Sequence, residues 1–359
     1  MTDEKIRVAK EVFEKFDTEV SCASERIQPW GDGHINETYL VEGKYILQKI
    51  NTSVFTRPDM LMRNIAQVTE HLSNKIKQSG ADPRKETLTL IKTREGENFL
   101  TENGSAWRVY LYIPSSSYNI AENSEMIYNE GMAFGKFQNM LSDFDASRLY
   151  DVIPNFHNTR KRFDSFIKAL KEDRLSRASH VSWEIRFFID REYVADTVLP
   201  FLGSKEVPLR VTHNDTKINN ILFEKDSVKP LAVIDLDTVM SGSALYDFGD
   251  AIRTGASLAN EDETDLSKVG INLENYRAFT EGFIEGCRGR LTGTEISLMP
   301  KSAILMTYEC GMRFLTDYLD GDRYFRISHP QHNLERCHTQ MKMIEDMEKK
   351  LDEMRTVTK

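Results

Sequence analysis

The 359-residue chain carries 47 basic and 56 acidic residues, a net charge of −9, and no arginine-lysine block long enough to form a nucleic-acid groove. Its cysteines are scattered without C-x-x-C spacing, so the sequence indicates neither a zinc cage nor a disulfide framework; they are Cys22, Cys287, Cys310 and Cys337. No apolar stretch approaches the ~20 residues needed to span a bilayer. We therefore expect a cytoplasmic protein of two domains or lobes, with no nucleic-acid or membrane partner.

After an amino-terminal helix within residues 1–25, residues 26–113 predict a small, strand-rich lobe. A Gly-rich turn at Gly31, Asp32 and Gly33 precedes predicted strands at 38–41 and 45–50. Glycine has no Cβ, so the backbone N–H groups of such a turn can approach phosphates closely. The turn, extended to His34, is a candidate cover for the phosphates of a nucleotide, although most such turns only close hairpins.

Two further segments complete this lobe. Residues 58–78 predict an amphipathic helix, because apolar side chains recur at gaps of three and four, at Leu61, Ile65, Val68, Leu72 and Ile76. The aromatic run at 107–112, which precedes Pro114, is typical of a connector between two lobes whose backbone meets an adenine ring. Alternatively, its aromatic side chains belong to the core of a strand.

Residues 114–359 predict a larger, mainly helical lobe. Helix-like segments occupy 132–141, 162–175, 276–287 and 302–319, and the charged tail at 338–359 predicts an exposed helix.

The most informative stretch, residues 211–237, lies between the second and third of these helices. His213 and Asp215 are followed by Asn220, five positions after the aspartate, which is the spacing of the protein-kinase pattern H-R-D-x-x-x-x-N. In that pattern the Asp accepts the proton of the substrate and the Asn reaches a metal ion. The sequence therefore predicts Asp215 as a catalytic base, Asn220 as a metal ligand, and His213 as a brace for the loop.

A predicted hairpin follows this loop. Apolar runs at 221–223 and 231–234 flank a polar turn, and the second run ends just before Asp235. An aspartate beyond a buried strand is a natural oxygen ligand for Mg²⁺. Asp235 is the predicted metal ligand, with Asp237 as a second candidate.

The triplet at residues 247–249 spells Asp-Phe-Gly, the magnesium motif of protein kinases. It follows a loop containing Gly and Ser, and not an apolar strand. We therefore predict that Asp247 is a helix N-cap and not a metal ligand.

This layout resembles the aminoglycoside phosphotransferase family, whose members share the protein-kinase-like fold, over residues 26–330. Six segments in both lobes are more specifically similar to bacterial N-acetylhexosamine 1-kinases: 31–55, 61–72, 134–149, 209–222, 234–257 and 309–325. The resemblance implies an α+β bilobal kinase, which we expect to be a monomer. It also implies transfer of the γ-phosphate of ATP, with Mg²⁺, to the anomeric hydroxyl of N-acetylglucosamine or N-acetylgalactosamine, giving the α-1-phosphate.

The resemblance also implies the contacts to the sugar. Asp215 would meet the reacting hydroxyl, and the other candidates are His34, Glu309, Arg313 and Tyr324. Because Glu309 and Arg313 are four residues apart on a predicted helix, they could instead form an ordinary surface ion pair.

One position departs from the kinase pattern. Kinases of this fold usually place a Lys or Arg on the strand after the Gly-rich loop, where it grips the α- and β-phosphates. Gln48 occupies that position, and the adjacent Lys49 would point to the other face of the strand unless a bulge intervenes. Both are candidates for nucleotide binding.

Two alternatives remain open. The acceptor could be another sugar, an aminoglycoside, choline or homoserine. Alternatively, the chain could be a pseudokinase that binds nucleotide without turnover, for which Gln48 is the best support.

Overall fold

A computed structural model describes residues 3–20, 23, 26–31 and 35–358 of the chain. The strands are β1 (Ile27–Pro29), β2 (Glu37–Val41), β3 (Tyr45–Ile50), β4 (Leu90–Ile91), β5 (Leu100–Glu102), β6 (Ser105–Leu111), β7 (Arg210–Thr212), β8 (Ile221–Phe223), β9 (Pro230–Val233) and β10 (Met240–Gly242). The helices are α1 (Asp3–Phe13), α2 (Pro58–Gln78), α3 (Pro83–Glu86), α4 (Ser124–Met140), α5 (Thr159–Glu172), α6 (Ser182–Asp190), α7 (Leu199–Ser204), α8 (Ala244–Gly255), α9 (Leu273–Cys287), α10 (Gly293–Asp320), α11 (His332–Lys349) and α12 (Leu351–Val357).

The α+β chain divides into two compact units. The strand-rich unit comprises Met1–Ser117, Arg148–Ile153 and Ile221–Met240. The helical unit comprises Tyr118–Ser147, Pro154–Asn220 and Ser241–Lys359.

An antiparallel sheet in the order β1-β2-β3-β6-β4, with β5 also paired to β6, forms the body of the strand-rich unit. One face of this sheet packs against α1, because Tyr45 and Leu47 of β3 and Trp107 and Val109 of β6 share a core with Phe13. Side chains alternate along a strand, so the intervening residues of β3 and β6 face the other way. This alternation decides which charged side chains can approach a ligand.

The sequence predicted several of these elements correctly. The strands at 38–41 and 45–50, the helix at 58–78 and the hairpin of β8 with β9 are all confirmed. Of the two interpretations of the aromatic run at 107–112, the strand core is confirmed: residues 107–111 lie in β6 and not in a connector, and Trp107 and Tyr110 are buried. The aromatic side chains belong to the sheet core because β6 pairs with three other strands.

Close helix contacts through glycine build the helical unit. A Cβ at Gly135 of α4 would lie 2.3 Å from the carbonyl oxygen of Phe283 in α9, and one at Gly249 of α8 would lie 2.3 Å from that of Ser302 in α10. Real Cβ atoms do not approach backbone this closely, so these helices pack with their backbones almost touching. This arrangement fixes α8 and α10, which carry candidate site residues.

The helical tail was predicted to be exposed, and this is wrong. Met341, Ile344 and Met347 of α11 are buried, with exposures of 0–1%, and α11 packs along α10. The tail has many charged residues, but its apolar residues form one stripe of the helix, and this stripe packs against α10. None of the helices within the described residues is both long and apolar enough to cross a membrane.

Candidate functional site

The loop after β7 brings Asp215 and Asn220 into direct contact. The Asn220 side-chain amide donates to the Asp215 carboxylate at 3.1 Å and to the Asp215 carbonyl oxygen at 2.8 Å. On the other carboxylate oxygen, the Lys217 ammonium lies 2.7 Å away. The carboxylate of Asp215 is therefore held on both sides, while its side chain keeps 31% of its surface exposed.

The electrostatics of the loop keep Asp215 ionised. Burial raises the pKa of Asp215, but Lys217, His213 and Asn220 together lower it further, so the pKa lies below the ordinary value. An ionised carboxylate that remains partly exposed can accept a proton from a hydroxyl. Lys217 went unrecognised in the sequence, although it lies only two residues after Asp215.

His213 is fully buried and braces the loop, as predicted. Its Nδ1 accepts the backbone N–H of Asp215 at 3.3 Å, and its ring lies edge-on to Phe134 and Phe137 of α4, with centroid separations of 5.5 and 6.0 Å. The next residue, Asn214, has φ of 66°, a left-handed conformation that costs a non-glycine residue free energy unless its surroundings enforce it. The surroundings therefore determine the shape of the loop.

Asp247 supplies much of that enforcement. It accepts the backbone N–H of His213 at 3.0 Å and of Asn214 at 2.8 Å, and the Gln138 side chain donates to it at 2.8 Å. The prediction that Asp247 is a helix N-cap is wrong, because Ser243 caps α8 and Asp247 lies within its first turn, 1% exposed. Nothing in the sequence links Asp247 to a loop more than thirty residues earlier; only the packing of α8 brings them together.

Asp235 and Asp237 follow β9 in the strand-rich unit. Asp235 has φ of 57° and begins the short 3₁₀ turn Leu236–Thr238. Asp237 is 3% exposed, and both of its carboxylate oxygens accept hydrogen bonds, one from Arg108 at 2.5 Å and one from Asn36 at 2.7 Å. Asp237 therefore ties this turn to β6 and to the residues after the Gly-rich turn.

Gln48 and Lys49 point in opposite directions. Gln48 donates to Thr38 of β2 at 3.0 Å and accepts from Arg108 of β6 at 2.9 Å. Lys49 lies on the face that packs against α1, with its ammonium 5.8 Å from the Trp107 ring centroid and 3.8 Å from Glu37. The described strand β3 thus contains no bulge that would return Lys49 to the side of Gln48.

Glu309 of α10 is buried and does not form the i,i+4 ion pair with Arg313. His157 lies 2.8 Å from one of its carboxylate oxygens, and Thr159 donates to the other at 2.6 Å. Burial raises the pKa of Glu309, but His157, Arg313 and Thr159 lower it further, so it stays below the ordinary value. No sequence pattern pointed to His157, which lies far from Glu309 along the chain.

Arg313 and Tyr324 lie together. The guanidinium of Arg313 donates to the Tyr324 hydroxyl at 3.3 Å and lies 5.4–5.6 Å from the ring centroids of Phe156, Tyr324 and Phe325. Tyr324 remains 63% exposed. The two residues therefore form an aromatic and cationic surface, open to solvent, at the end of α10.

Asp317 of α10 holds the segment that carries Tyr324. Its carboxylate accepts the backbone N–H groups of Arg323, Tyr324 and Phe325 at 2.9, 2.8 and 3.0 Å. The Asn333 side chain donates to it at 2.9 Å. Three consecutive amides on one buried carboxylate fix the path of the chain at Tyr324.

At the Gly-rich turn, Gly31 has φ of 73°, a conformation that glycine adopts readily. Asp32, Gly33 and His34 lie outside the described residues, as does Cys22. The predicted roles of these residues remain predictions.

Three solved structures of the same fold are each distant in sequence from this chain. An aminoglycoside phosphotransferase from Alicyclobacillus acidocaldarius is 12% identical, with a TM-score of 0.62, over 97% of this chain and 96% of that one. An amicoumacin kinase in complex with AMP-PNP and Ca²⁺ is 14% identical, with a TM-score of 0.55, over 95% and 93%. A spectinomycin phosphotransferase in complex with ADP and spectinomycin is 15% identical, with a TM-score of 0.51, over 98% of both chains.

These likenesses establish a kinase-type fold for the chain. The family model described as the phosphotransferase enzyme family matches residues 26–279, which is more than two thirds of the sequence and includes the loop that carries Asp215 and Asn220. The chain therefore belongs to the phosphotransferase enzyme family.

Proposed function

We propose that this protein is a kinase that transfers the γ-phosphate of ATP to the anomeric hydroxyl of an N-acetylhexosamine. The observation that carries the proposal is the ionised Asp215 carboxylate, held by Lys217 and Asn220 in a loop with kinase spacing. The resemblance of residues 309–325 to N-acetylhexosamine 1-kinases supports the choice of acceptor.

In the proposed reaction, Asp215 orients the sugar hydroxyl and takes its proton. The oxygen of that hydroxyl forms a bond to the γ-phosphorus, the bond to the β–γ bridging oxygen breaks, and ADP leaves. An anomeric hydroxyl is more acidic than an ordinary alcohol, so a carboxylate of low pKa suffices when the proton moves late. Positioning and charge neutralisation supply most of the acceleration.

The residues that we propose for Mg²⁺ each carry an oxygen donor of the kind that this ion prefers. The amide nitrogen of Asn220 is committed to Asp215, which leaves its amide oxygen for a cation, and Asp235 supplies a carboxylate in the strand-rich unit. Asp237 is the second candidate, at the expense of its bonds to Arg108 and Asn36. When bound, Mg²⁺ neutralises the charge that develops on the transferred phosphoryl group.

No group of three or more His, Cys, Asp or Glu side chains that could hold a metal is found among the described residues. Mg²⁺ commonly takes one or two protein carboxylates and completes its octahedron with phosphates and water.

The surface at the end of α10 favours a neutral acceptor. Arg313 lies there. Burial lowers the pKa of the neighbouring Arg162, and the charge of Arg313 lowers it further. The buried carboxylates described beside them are already engaged, Glu309 by His157 and Thr159, and Asp317 by three backbone N–H groups and Asn333. A polycationic aminoglycoside would be repelled, whereas a sugar can stack on Tyr324 and accept hydrogen bonds from Arg313.

A panel of acceptors tests the proposal. ADP release from ATP is measured with N-acetylglucosamine, N-acetylgalactosamine, an aminoglycoside, choline and homoserine, using Asp215→Asn as the blank. We expect turnover with one or both amino sugars and none above the blank with cationic acceptors. Turnover with an aminoglycoside alone would reject the acceptor, and no turnover with any acceptor would leave the pseudokinase alternative.

A further inference from the structure

Three residues form a straight line across the sheet of the strand-rich unit. Thr38 of β2 is paired with Gln48 of β3, and Gln48 is paired with Arg108 of β6. Directly opposed residues in an antiparallel sheet project to the same face. Their side chains are joined accordingly, Gln48 to Thr38 at 3.0 Å and Arg108 to Gln48 at 2.9 Å.

Arg108 therefore lies beside the position where kinases of this fold usually carry a cation. The guanidinium shares the face of Gln48, away from the core that Trp107 and Val109 form with α1. Lys49 projects into the opposite face, toward Trp107 and Glu37. Among the described residues of β3 and β6, Arg108 is the charged side chain on the Gln48 side of the sheet.

Its environment holds Arg108 as a charged group with a free donor. The residue is 1% exposed, its Nε donates to Gln48, and its Nη1 donates to Asp237. Burial lowers the pKa of Arg108, but the negative charges of Asp237 and, to a smaller extent, Asp235 contribute to a net rise of that pKa above its ordinary value. No described residue accepts a hydrogen bond from Nη2 of Arg108.

A buried arginine with an unused donor calls for an explanation beyond stability. Burying an ion pair is often neutral or unfavourable, because the cost of desolvation offsets the Coulomb attraction. The planar guanidinium matches the geometry of phosphate oxygens and binds them through two N–H groups. The neutral Gln48 amide cannot compensate for phosphate charge.

We propose that Arg108, positioned by Gln48 and Asp237, is the phosphate-gripping cation of the nucleotide site, so that the charge has moved from β3 to the neighbouring strand. The inference rests on the proposed nucleotide-dependent phosphoryl transfer. Gln48 is then a positioning residue that holds the guanidinium through Nε. Asp237 is the counter-ion of Arg108 in the absence of nucleotide.

The test compares nucleosides that differ only in the number of phosphates. Calorimetry gives the affinities of the full chain for adenosine, AMP, ADP and ATP, without acceptor, for the wild type and Arg108→Gln. A charge-assisted hydrogen bond corresponds to a factor of about 10 to 100 in affinity. We expect Arg108→Gln to weaken ADP and ATP by such a factor and to leave adenosine unchanged.

A second experiment moves the positive charge back to β3 and tests for rescue. The double variant Gln48→Lys/Arg108→Gln returns the cation to β3, and it should regain most of the lost ADP affinity. If Arg108→Gln fails to fold because Asp237 is left unpaired, Arg108→Gln/Asp237→Asn removes both charges and takes its place in the nucleotide series. Arg210→Gln, which breaks the buried Arg210–Glu295 pair of the helical unit, controls for loss of a buried ion pair.

Each result decides the matter. A loss that grows with the number of phosphates and is reversed by Gln48→Lys supports the proposal. An equal loss for adenosine and ADP, the same pattern in Arg210→Gln, a failure of Gln48→Lys to restore affinity, or a larger loss in Lys49→Gln would overturn it. If the wild type binds none of these nucleotides, the proposed kinase function fails, and that result is distinct from unchanged ADP affinity in a folded Arg108 variant.

Discussion

The carboxylate of Asp247 accepts the backbone N–H of Asn214 at 2.8 Å and so holds a left-handed residue immediately before the candidate base. In Asp247→Asn, the amide offers one oxygen where the carboxylate offered two. One loop N–H then faces an NH₂ group, which costs about 1–3 kcal/mol in a buried site. We predict a lower kcat with a nearly unchanged KM for ATP, and a lower midpoint of urea unfolding.

Asp247→Asn is compared with Asp250→Asn, whose carboxylate accepts the N–H of Thr216 after the base. If Asp247→Asn retained full kcat while losing stability, the wild-type Asp247 carboxylate would serve only the packing of α8.

Lys217 lowers the pKa of Asp215, and its removal should change the pH profile in a defined direction. The Asp215 pKa lies below the ordinary value because Lys217, with His213 and Asn220, outweighs burial. In Lys217→Met that pKa rises, and the ionised base is lost at a higher pH. We predict that the acid limb of kcat/KM shifts to higher pH.

The measurement is kcat/KM as a function of pH for the wild type, Lys217→Met and Lys217→Arg, which keeps the charge. An acid limb that stays in place in Lys217→Met would show that Asp215 is not the titrating base.

Asp317 fixes the segment that carries Tyr324, so its loss should affect the acceptor and not the nucleotide. Asp317→Asn has one acceptor oxygen for the three amides that now converge on the carboxylate. We predict a KM for the sugar raised by about 10-fold, the equivalent of roughly 1.4 kcal/mol, with kcat and the KM for ATP little changed.

Asp320→Asn makes the same change of charge near the end of α10 and serves as the control. Parallel increases in both KM values would point to general destabilisation and not to a displaced Tyr324.

Glu130 of α4 should make stability fall as pH rises. It is 1% exposed, one of its carboxylate oxygens has no hydrogen-bond partner, and burial, with a smaller contribution from Asp250, raises its pKa well above 4.5. The folded state therefore keeps a proton that the unfolded state releases above about pH 4.5. Stability is lost as pH rises from the unfolded pKa of Glu130 to its higher folded pKa.

In Glu130→Gln this penalty is absent. The difference in free energy of unfolding, variant minus wild type, should grow by up to about 1.4 kcal/mol per pH unit above the unfolded pKa of Glu130. Urea unfolding at about pH 5 and about pH 8 measures the difference, and a gap that is constant with pH would contradict the prediction.

Gly249 permits the close contact of α8 with α10. A Cβ there would lie 2.3 Å from a backbone oxygen of Ser302, and backbone cannot move aside as a flexible side chain can. We predict that Gly249→Ala lowers stability by at least about 1–3 kcal/mol, as overpacking does.

The matched control is Gly203→Ala in α7, where an added Cβ meets nothing within 4 Å. That change should be neutral or stabilise by about 0.4–1 kcal/mol. Equal effects of the two substitutions on the melting temperature would contradict the packing argument.

The sequence predicted what local patterns determine. Period-3.6 apolar spacing located α2, and the turns on either side of the strand at 38–41 located β2 and β3. The kinase spacing of Asp215 and Asn220 identified two residues that the fold does bring together. It failed where long-range packing decides the outcome. The tail looked exposed because its charged residues outnumber the apolar stripe that α10 covers.

The supporting residues of the site could not be predicted in the same way. Asp247 and Asp317 act through backbone amides of other segments, and His157 reaches Glu309 across the helical unit, so no spacing connects these pairs. Arg108 did leave a signal, as the single charge in the apolar run of β6. An arginine that interrupts a buried strand must find an anion, and here that anion is Asp237.

The most direct test of the proposed function is phosphorus NMR of the product formed from ATP, Mg²⁺ and N-acetylglucosamine or N-acetylgalactosamine, with Asp215→Asn as the blank. We predict a phosphate signal coupled to the anomeric proton of an α-1-phosphate, absent with Asp215→Asn. A phosphate on any other hydroxyl, or equal product from Asp215→Asn, would contradict the account.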